Sequence, residues 1–378
     1  MQTSTKEILA SLAKNAELDF ADGRSLPPAI YHDRGIFELE INNLFRKEWI
    51  CLGRLAEIPN AGDYVCRDIL DSPVFVARQR DGSVKAFANV CIHRSARLLD
   101  SCGHVTRISC PYHSWTYDLD GQLVGAPFMK QTPGFDVRDH RLKELRCETW
   151  QGFVYVSLDP DSISISERLE PLCGEVGDFR MADYVPVFVQ EETWNTNWKC
   201  LVENYMDAYH VHRVHKDSFG KHGSSEAQTT LLDGEDAFSY HYVLEDEGPK
   251  AVAAHPDNTW LKGDNRHRTY LINIFPSHTM QLQPDMLWYL SILPAGYDKV
   301  SIRWAVSIPA EILAAAGDKK AYIDEVMSLL HKVNSEDRPV VESVFRTTRS
   351  PEAVQGPLSY LERNVWQFGR YLARNLCR

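Results

Sequence analysis

At 378 residues, with 44% hydrophobic and 25% charged side chains, the chain has the composition of a globular protein long enough for two separately cored domains. Its formal net charge is −11 with no lysine- or arginine-rich block, which argues against a nucleic-acid role. No run approaches the length of a membrane-spanning helix, and Met1-Gln-Thr-Ser-Thr-Lys-Glu-Ile-Leu reads as neither signal peptide nor anchor.

Taken in chain order, residues 7–12 show weak helical periodicity. Residues 37–49 read as a helix through Phe37, Leu39, Ile41, Leu44 and Phe45, so 1–50 is assigned as a helical lead. From 51 to 160 short strands alternate with turns at Asp81-Gly82, Asp120-Gly121 and Gln151-Gly152, which indicates an all-β domain. Asp159-Pro160-Asp161-Ser162 marks its end. Residues 161–378 then read as a mixed domain. A helix is expected over 165–179, strands near 238–244, 270–275, 279–283, 288–293 and 300–308, and helices over 319–334 and 339–347. Leu358, Leu361, Val365, Phe368 and Leu372 recur at helical spacing. The fold class is therefore α+β: an all-β domain, then a helix-grip domain whose antiparallel sheet wraps helices and suits a small-molecule pocket.

Two runs in the β domain carry chemistry. Cys91-Ile-His93 and Cys110-Pro-Tyr-His113 lie sixteen residues apart, and each offers a thiol and an imidazole. The four donors suit one tetrahedral zinc, or two sulfide-bridged irons with both cysteines on one iron and both histidines on the other. Zinc patterns usually put a Cys pair in one run and a His pair in the other, whereas each run here mixes them. Tyr112 and Trp115 also supply aromatic cover that would shield a cluster from water. The two-iron reading is preferred. The other seven of the nine cysteines show no disulfide-framework spacing and read as reduced thiols of a reducing compartment, the cytoplasm. Cys102 and His104, between the runs, are read as bystanders.

Residues 197–215 read as a polar helix. On it Asp207 and His210, three apart, would share a face. His210 and His215 are five apart, about 140° around an ideal helix, so they meet at one metal only if the helix ends or bends between them. Two imidazoles and a distant carboxylate would make the facial triad of a non-haem iron(II) site, with open positions for O₂. His212 competes by spacing. For the carboxylate, Glu336, Asp337 and Glu342 all lie near an expected helix junction at 335–339.

From about residue 37 onward the chain resembles the large (α) subunit of the Rieske non-haem iron oxygenases, the terminal components of ring-hydroxylating and demethylating systems. The resemblance rests on Cys91-Ile-His93-Arg94, Cys110-Pro-Tyr-His113-Ser-Trp115 and Glu203-Asn204-x-x-Asp207-x-x-His210-x-x-x-x-His215, in that order. Family members often carry glycine where this chain has Ser95 and Ser114, and serine tolerates a positive φ poorly. The resemblance implies a [2Fe–2S] cluster on Cys91, His93, Cys110 and His113, and a mononuclear iron on His210, His215 and Asp337. It implies catalytic roles for Asn204 and for Asp207, the latter joining His210 to His113 of an adjacent subunit in an α3 homotrimer. Electrons would come from NAD(P)H through a separate reductase, with or without a ferredoxin.

Mono-oxygenation and cis-dihydroxylation use the same iron site, so the ligand motifs serve both. The chain resembles the smaller α-only members, which implies mono-oxygenation of a small aromatic substrate, by hydroxylation or by oxidative N- or O-dealkylation. Ring cis-dihydroxylation and quaternary-ammonium mono-oxygenation are the alternatives, and a zinc- or cluster-bearing binding protein is the non-enzymatic one. Phe275, Met280, Trp288 and Tyr289 are candidate pocket residues; as strand neighbours, Trp288 and Tyr289 should face opposite sides.

Overall fold

The computed structural model describes residues 4–219, 229–244 and 252–377. The chain divides into two compact units, 45–168 and 1–44 with 169–378. The first 44 residues are therefore not a lead of their own.

The larger unit opens with α1 (Thr5–Ala16) and α2 (Arg34–Glu40). Ser4 and Glu7 form a reciprocal capping box on α1, and Asp33 caps α2 through the Ile36 amide. The helix expected over 37–49 stops early, and Ile41–Phe45 widens to a π-helix. β-Branched Ile41 and the Asn42-Asn43 pair are weak helix formers, which accounts for the change.

The smaller unit carries ten strands: β1 (Ile50–Arg54), β2 (Asp63–Ile69), β3 (Ser72–Arg78), β4 (Val84–Ala88), β5 (Cys102–His104), β6 (Ile108–Ser109), β7 (Thr116–Tyr117), β8 (Leu123–Gly125), β9 (Glu144–Trp150) and β10 (Phe153–Ser157). Seven form one sheet in the order β1-β10-β9-β4-β3-β2-β5, and β6-β7-β8 form a second. The unit ends in the short α3 (Ile165–Arg168). The helix expected over 165–179 breaks after α3 and resumes as α4 (Glu170–Val176), with Pro171 in its first turn. Proline is tolerated in a helix's first turn, where its missing N–H has no intrahelical partner to lose.

Beyond α4 the larger unit builds one antiparallel sheet from β11 (Tyr184–Trp194), β12 (Thr229–Leu231), β13 (Phe238–Leu244), β14 (Arg268–Ile274), β15 (His278–Gln283), β16 (Met286–Gly296) and β17 (Lys299–Pro309). Their order is β11-β17-β16-β15-β14-β13-β12. The five strands expected between 238 and 308 are present. β11 was not anticipated, because Pro186 interrupts its alternation. It lies at a sheet edge, where a missing N–H is tolerated.

Helices α5 (Trp198–Met206), α6 (Val211–Val214), α7 (Ala310–Ala315), α8 (Lys319–Thr347) and α9 (Arg363–Leu376) complete the unit. The junction expected at 335–339 is absent, for α8 runs unbroken through Pro339. An internal proline costs about 3 kcal/mol. Here Met327, Leu330, Val333, Asp337, Val341 and Phe345 recur at spacings of three and four, giving one buried stripe that holds the helix together across it. α1 packs against α9. The buried Lys199–Glu40 ion pair, 2.6 Å, ties α5 to α2, and Glu40 also accepts from Trp198 Nε1 at 2.8 Å. Breaking one side of such a pair would leave an uncompensated charge.

Candidate metal centres

The two Cys/His runs fold into matching loops. The Cys91 amide donates to the Ala96 carbonyl and the Ser95 amide to the Cys91 carbonyl. Cys110, Trp115 and Ser114 repeat this pattern. Both closures place serine in the left-handed region, with φ at +57° for Ser95 and for Ser114. The loops thus keep a glycine-type geometry without glycine, and strain resides in these two serines. Ser114→Gly is expected to stabilise the protein by about 1 kcal/mol, the balance of removed left-handed strain and added chain entropy. Urea unfolding under anaerobic conditions would read it, and a lowered midpoint would refute the strain.

The loop tips sort their donors by depth. Cys91 and Cys110 are buried at 1% and 3% exposure, within a core that includes Phe75, Phe87, Leu98, Ile108 and Leu123. His113 is half-buried and His93 exposed. The two imidazoles stand 4.6 Å apart between ring centroids. Trp115 stacks on His93 at 4.7 Å and 5°, and Tyr112 lies 3.7 Å from His113. Among the described residues His113 Nδ1 is buried without a hydrogen-bond partner, and Cys91 Sγ lies 3.2 Å from Tyr117 Oη. This set fits a two-iron cluster: sulfur ligands in the dry interior, nitrogen ligands at the surface edge, and an orphaned imidazole nitrogen facing in. Cys102 and His104 lie apart on the exposed β5, with His104 bonded to Asp63.

The second centre forms because the expected helix over 197–215 breaks. Asn197 caps α5 through the Lys199 amide, and α5 ends at Met206. Asp207 is extended, with ψ at 107°, and its Oδ1 accepts from the Tyr209 amide at 2.6 Å. This local turn competes with helix continuation. The backbone carbonyl of Asn204 accepts the Asp207 amide at the same step. His210 then precedes α6 and His215 follows it. From α8, Asp337 Oδ1 comes within 3.5 Å of His210 Nε2 and 3.1 Å of His215 Nε2. All three donor atoms lie within 4.8 Å of one another.

The outer faces of the imidazoles meet carboxylates. His215 Nδ1 lies 2.9 Å from Glu336 Oε2, which also accepts from Ser218 Oγ at 2.6 Å. His210 Nδ1 lies 3.4 Å from Asp207 Oδ2. Glu336 so placed holds the Nδ1 proton of His215 and turns its Nε2 inward, while Asp207 acts on His210 through its charge at 3.4 Å. Glu336 is thus not a third donor but orients His215, a role not read from sequence. The Glu336-Asp337 adjacency was its only signal. Glu342 caps the Asn195 amide and binds Arg338, while His212 is exposed and bonds the Tyr209 carbonyl. Neither joins the cluster.

Charge at this centre favours a cation. Burial opposes a charged His210, yet Asp207 and Asp337 outweigh it and raise the imidazole to about 10. Burial likewise raises Asp337, but His210 and His215 prevail and hold it near 2. Asp337 Oδ1 is buried, and its polar neighbours among the described residues are the two imidazole Nε2 atoms. Two imidazoles, once a metal displaces the Nε2 proton, and a carboxylate suit an iron(II) ion, with room for further ligands.

The centre lines a cavity of about 310 Å³. Strand register makes one wall. His241 pairs with Leu271, Leu271 with Gln281 and Gln281 with Trp288, so these four side chains form a row, with Val243 and Thr269 in the next. Asn204, Tyr205 and Leu361 also line it. Of the four expected pocket residues, Trp288 is in place. Phe275 instead stacks on Tyr371, Met280 is fully buried and Tyr289 packs against His278. The last is the expected consequence of strand alternation.

Sequence comparison agrees with both centres. Residues 48–140 match the Rieske [2Fe–2S] domain, and residues 158–377, more than half of the chain, match the catalytic domain of the ring-hydroxylating α subunit. The chain belongs to the Rieske non-haem iron oxygenase α subunits. Its cofactors are accordingly a Rieske cluster and a mononuclear iron, and the zinc reading is set aside. Relatives of this oxygenase include the carnitine monooxygenase oxygenase subunit of Escherichia coli K12, 36% identical over 50% of this chain and 52% of that protein. The glycine betaine monooxygenase oxygenase subunit of Chromohalobacter salexigens is 35% identical over 57% of this chain and 50% of that protein. The match thus spans about half the length of these curated relatives. Among solved structures, the quaternary ammonium Rieske monooxygenase CntA with L-carnitine has a TM-score of 0.80 at 21% identity, covering 99% of both chains. Naphthalene 1,2-dioxygenase from Rhodococcus sp. bound to indole also scores 0.80, at 20% identity and 99% of both. Both establish the α+β fold of the oxygenase. No helix of the described residues is long and apolar enough to cross a membrane.

Proposed function

We propose that the chain is a terminal oxygenase that mono-oxygenates a small, largely apolar organic molecule, by hydroxylation or oxidative N- or O-dealkylation. The observation that carries this reading is the convergence of His210, His215 and Asp337 on a cavity walled by Leu271, Val243, Trp288 and Leu361. Labelled O₂ tests it. A substrate screen with a surrogate reductase is expected to yield products with one labelled atom, or formaldehyde from methyl substrates. Diols carrying two labelled atoms would instead establish cis-dihydroxylation.

Cys91, His93, Cys110 and His113 would hold the cluster, and His210, His215 and Asp337 the iron. When bound, these groups supply single electrons and O₂ activation. The protein's residues position them. Glu336 orients His215 by its hydrogen bond, Asp207 sets negative charge beside His210, and Trp115 and Tyr112, packed on His93 and His113, would shield the cluster's histidine ligands. Asp207 would also reach His113 of the partner subunit in an α3 homotrimer, giving electrons a short route between centres. A separate reductase, with or without a ferredoxin, would deliver them in the cytoplasm.

Tyr117 acts on the electron store. Its hydroxyl, 3.2 Å from Cys91 Sγ, would donate to that sulfur as a cluster thiolate and stabilise the more negative, reduced state. Tyr117→Phe is expected to lower the reduction potential measured by voltammetry. An unchanged or higher potential would remove Tyr117 from this role.

Quaternary-ammonium mono-oxygenation is a second reading, favoured by the carnitine and glycine betaine relatives. Those compounds join a quaternary nitrogen to a carboxylate. The described cavity lining is largely apolar and includes no lysine or arginine.

A further inference from the structure

The cavity adjoins a stripe of aromatic rings that substrate binding does not account for. Trp288 on β16 lines the cavity together with His210, His215 and Asp337. Its ring meets that of Trp304 on β17, with centroids 6.4 Å apart at 75°. Trp304 in turn lies 4.6 Å from Phe188 on β11 and 5.2 Å from His331 on α8. Strand register sets this order. Trp288 pairs with Val306 and Leu290 with Trp304, so the two indoles are diagonal neighbours on one face of the sheet. Phe188 also pairs with Val306 and extends the diagonal onto the edge strand. Trp304 is 1% exposed, whereas Phe188 is half-buried and His331 exposed. The stripe therefore runs from the iron cavity to within one ring of the surface.

The chemistry of these rings is selective. Indole and phenol rings give up an electron far more readily than phenyl or imidazole rings. A phenol must shed its proton as it does so, whereas an indole can form a radical cation that keeps its N–H. Trp288 Nε1 and Trp304 Nε1 are buried with no hydrogen-bond partner among the described residues, so no neighbour takes that proton. Tyr205 touches Trp288, with centroids 5.9 Å apart, but its hydroxyl also lacks an acceptor, and burial with Asp337 nearby holds the phenol protonated. The indoles are thus the carriers, and their contact matters because electron tunnelling falls exponentially with the gap.

We propose that Trp288 and Trp304 form an electron relay that drains an oxidising equivalent left at the iron site when oxygen is activated and no substrate consumes it. One electron passes from Trp288 to the iron site, and one from Trp304 refills Trp288. The radical cation at Trp304 then takes an electron from a thiol in solution, past Phe188 and His331. The thiol releases its proton to water, and two thiyl radicals couple to a disulfide. No indole proton moves. This protective function goes beyond substrate oxygenation and stands whether one or two oxygen atoms enter the substrate.

The iron- and cluster-loaded protein, mixed with hydrogen peroxide without substrate and frozen at intervals, tests the relay. Electron paramagnetic resonance with indole-deuterated tryptophan reads the radical, and peptide mass spectrometry reads oxidised side chains. The unsubstituted protein is expected to show a tryptophan radical cation that dithiothreitol quenches. In Trp304→Phe oxidation should stop at Trp288, so hydroxylated Trp288 rises several-fold and the thiol no longer protects it. That substitution also leaves a void in the core, so Phe188→Trp supplies an independent arm. It lengthens the relay toward the surface, and should speed quenching by the thiol and carry oxidation to position 188. Iron and sulfide contents should match in these three proteins, and Asp337→Ala, without the iron, should give no radical. Equal oxidation of Trp288 with and without Trp304, a radical confined to tyrosine, decay that ignores the thiol, no effect of Phe188→Trp, or a radical that persists in Asp337→Ala overturns the proposal. None of these readouts depends on the products that decide the reaction class.

Discussion

Asp337→Ala is expected to abolish turnover while sparing the cluster. The variant should fall from about three irons per chain to about two, with acid-labile sulfide unchanged. Asp337 Oδ1 is the only carboxylate oxygen in the group of three donors, 3.1 Å from His215 Nε2 and 3.5 Å from His210 Nε2. Without it only the two imidazoles remain, and Glu336 cannot substitute because its Oε2 is engaged by His215 Nδ1 and Ser218 on the outer side. A loss of at least about a thousandfold in turnover, roughly 4 kcal/mol of barrier, is the expected size. Iron and sulfide analysis with a reduced-minus-oxidised spectrum would check it. Full iron content in the variant would move the metal site elsewhere.

Asp207→Asn should behave differently, keeping both metals and losing about a hundredfold or more in steady-state turnover. The amide is isosteric and can still accept from the Tyr209 amide, so the break between α5 and α6 survives. What is lost is negative charge beside His210 Nδ1, 3.4 Å away. Asp207 is one of the two acids that lift His210 to about 10, and a neutral neighbour would hold that imidazole less firmly. Stopped-flow reduction of the cluster, followed by its reoxidation with O₂ and substrate, separates the steps. Reduction should stay fast and reoxidation slow. Normal turnover, or loss of iron, would deny Asp207 a part in electron passage.

The Cys and His donors of both centres were legible because each run depends on short covalent spacing. Cys91 to His93 and Cys110 to His113 are one hairpin tip apiece, and His210 and His215 sit five residues apart. The break that lets the latter two converge was posed as a condition. Its cause, an Asp207 side chain capturing the Tyr209 amide, is a hydrogen bond that competes with helix and leaves no periodic trace. Pro339 misled in the opposite direction. Read locally it ends a helix, but the buried stripe from Met327 to Phe345 outweighs the local penalty. β11 was missed for a similar reason, since Pro186 is harmful in a sheet interior and harmless at an edge.

Residue type and near-neighbour spacing, which are properties of the chain as written, were enough to offer the four Cys/His donors and the α+β class, whereas the choice of His210 and His215 over His212, and of Asp337 over Glu336 and Glu342, came from the resemblance to the Rieske oxygenases. Packing decided that Glu336 stands behind His215, that Phe275, Met280 and Tyr289 serve the core, and that Trp288 alone of the four faces the cavity. The physical reason is that a strand exposes alternate side chains, and the side that faces a cavity is set by hydrogen-bond register with strands distant in sequence.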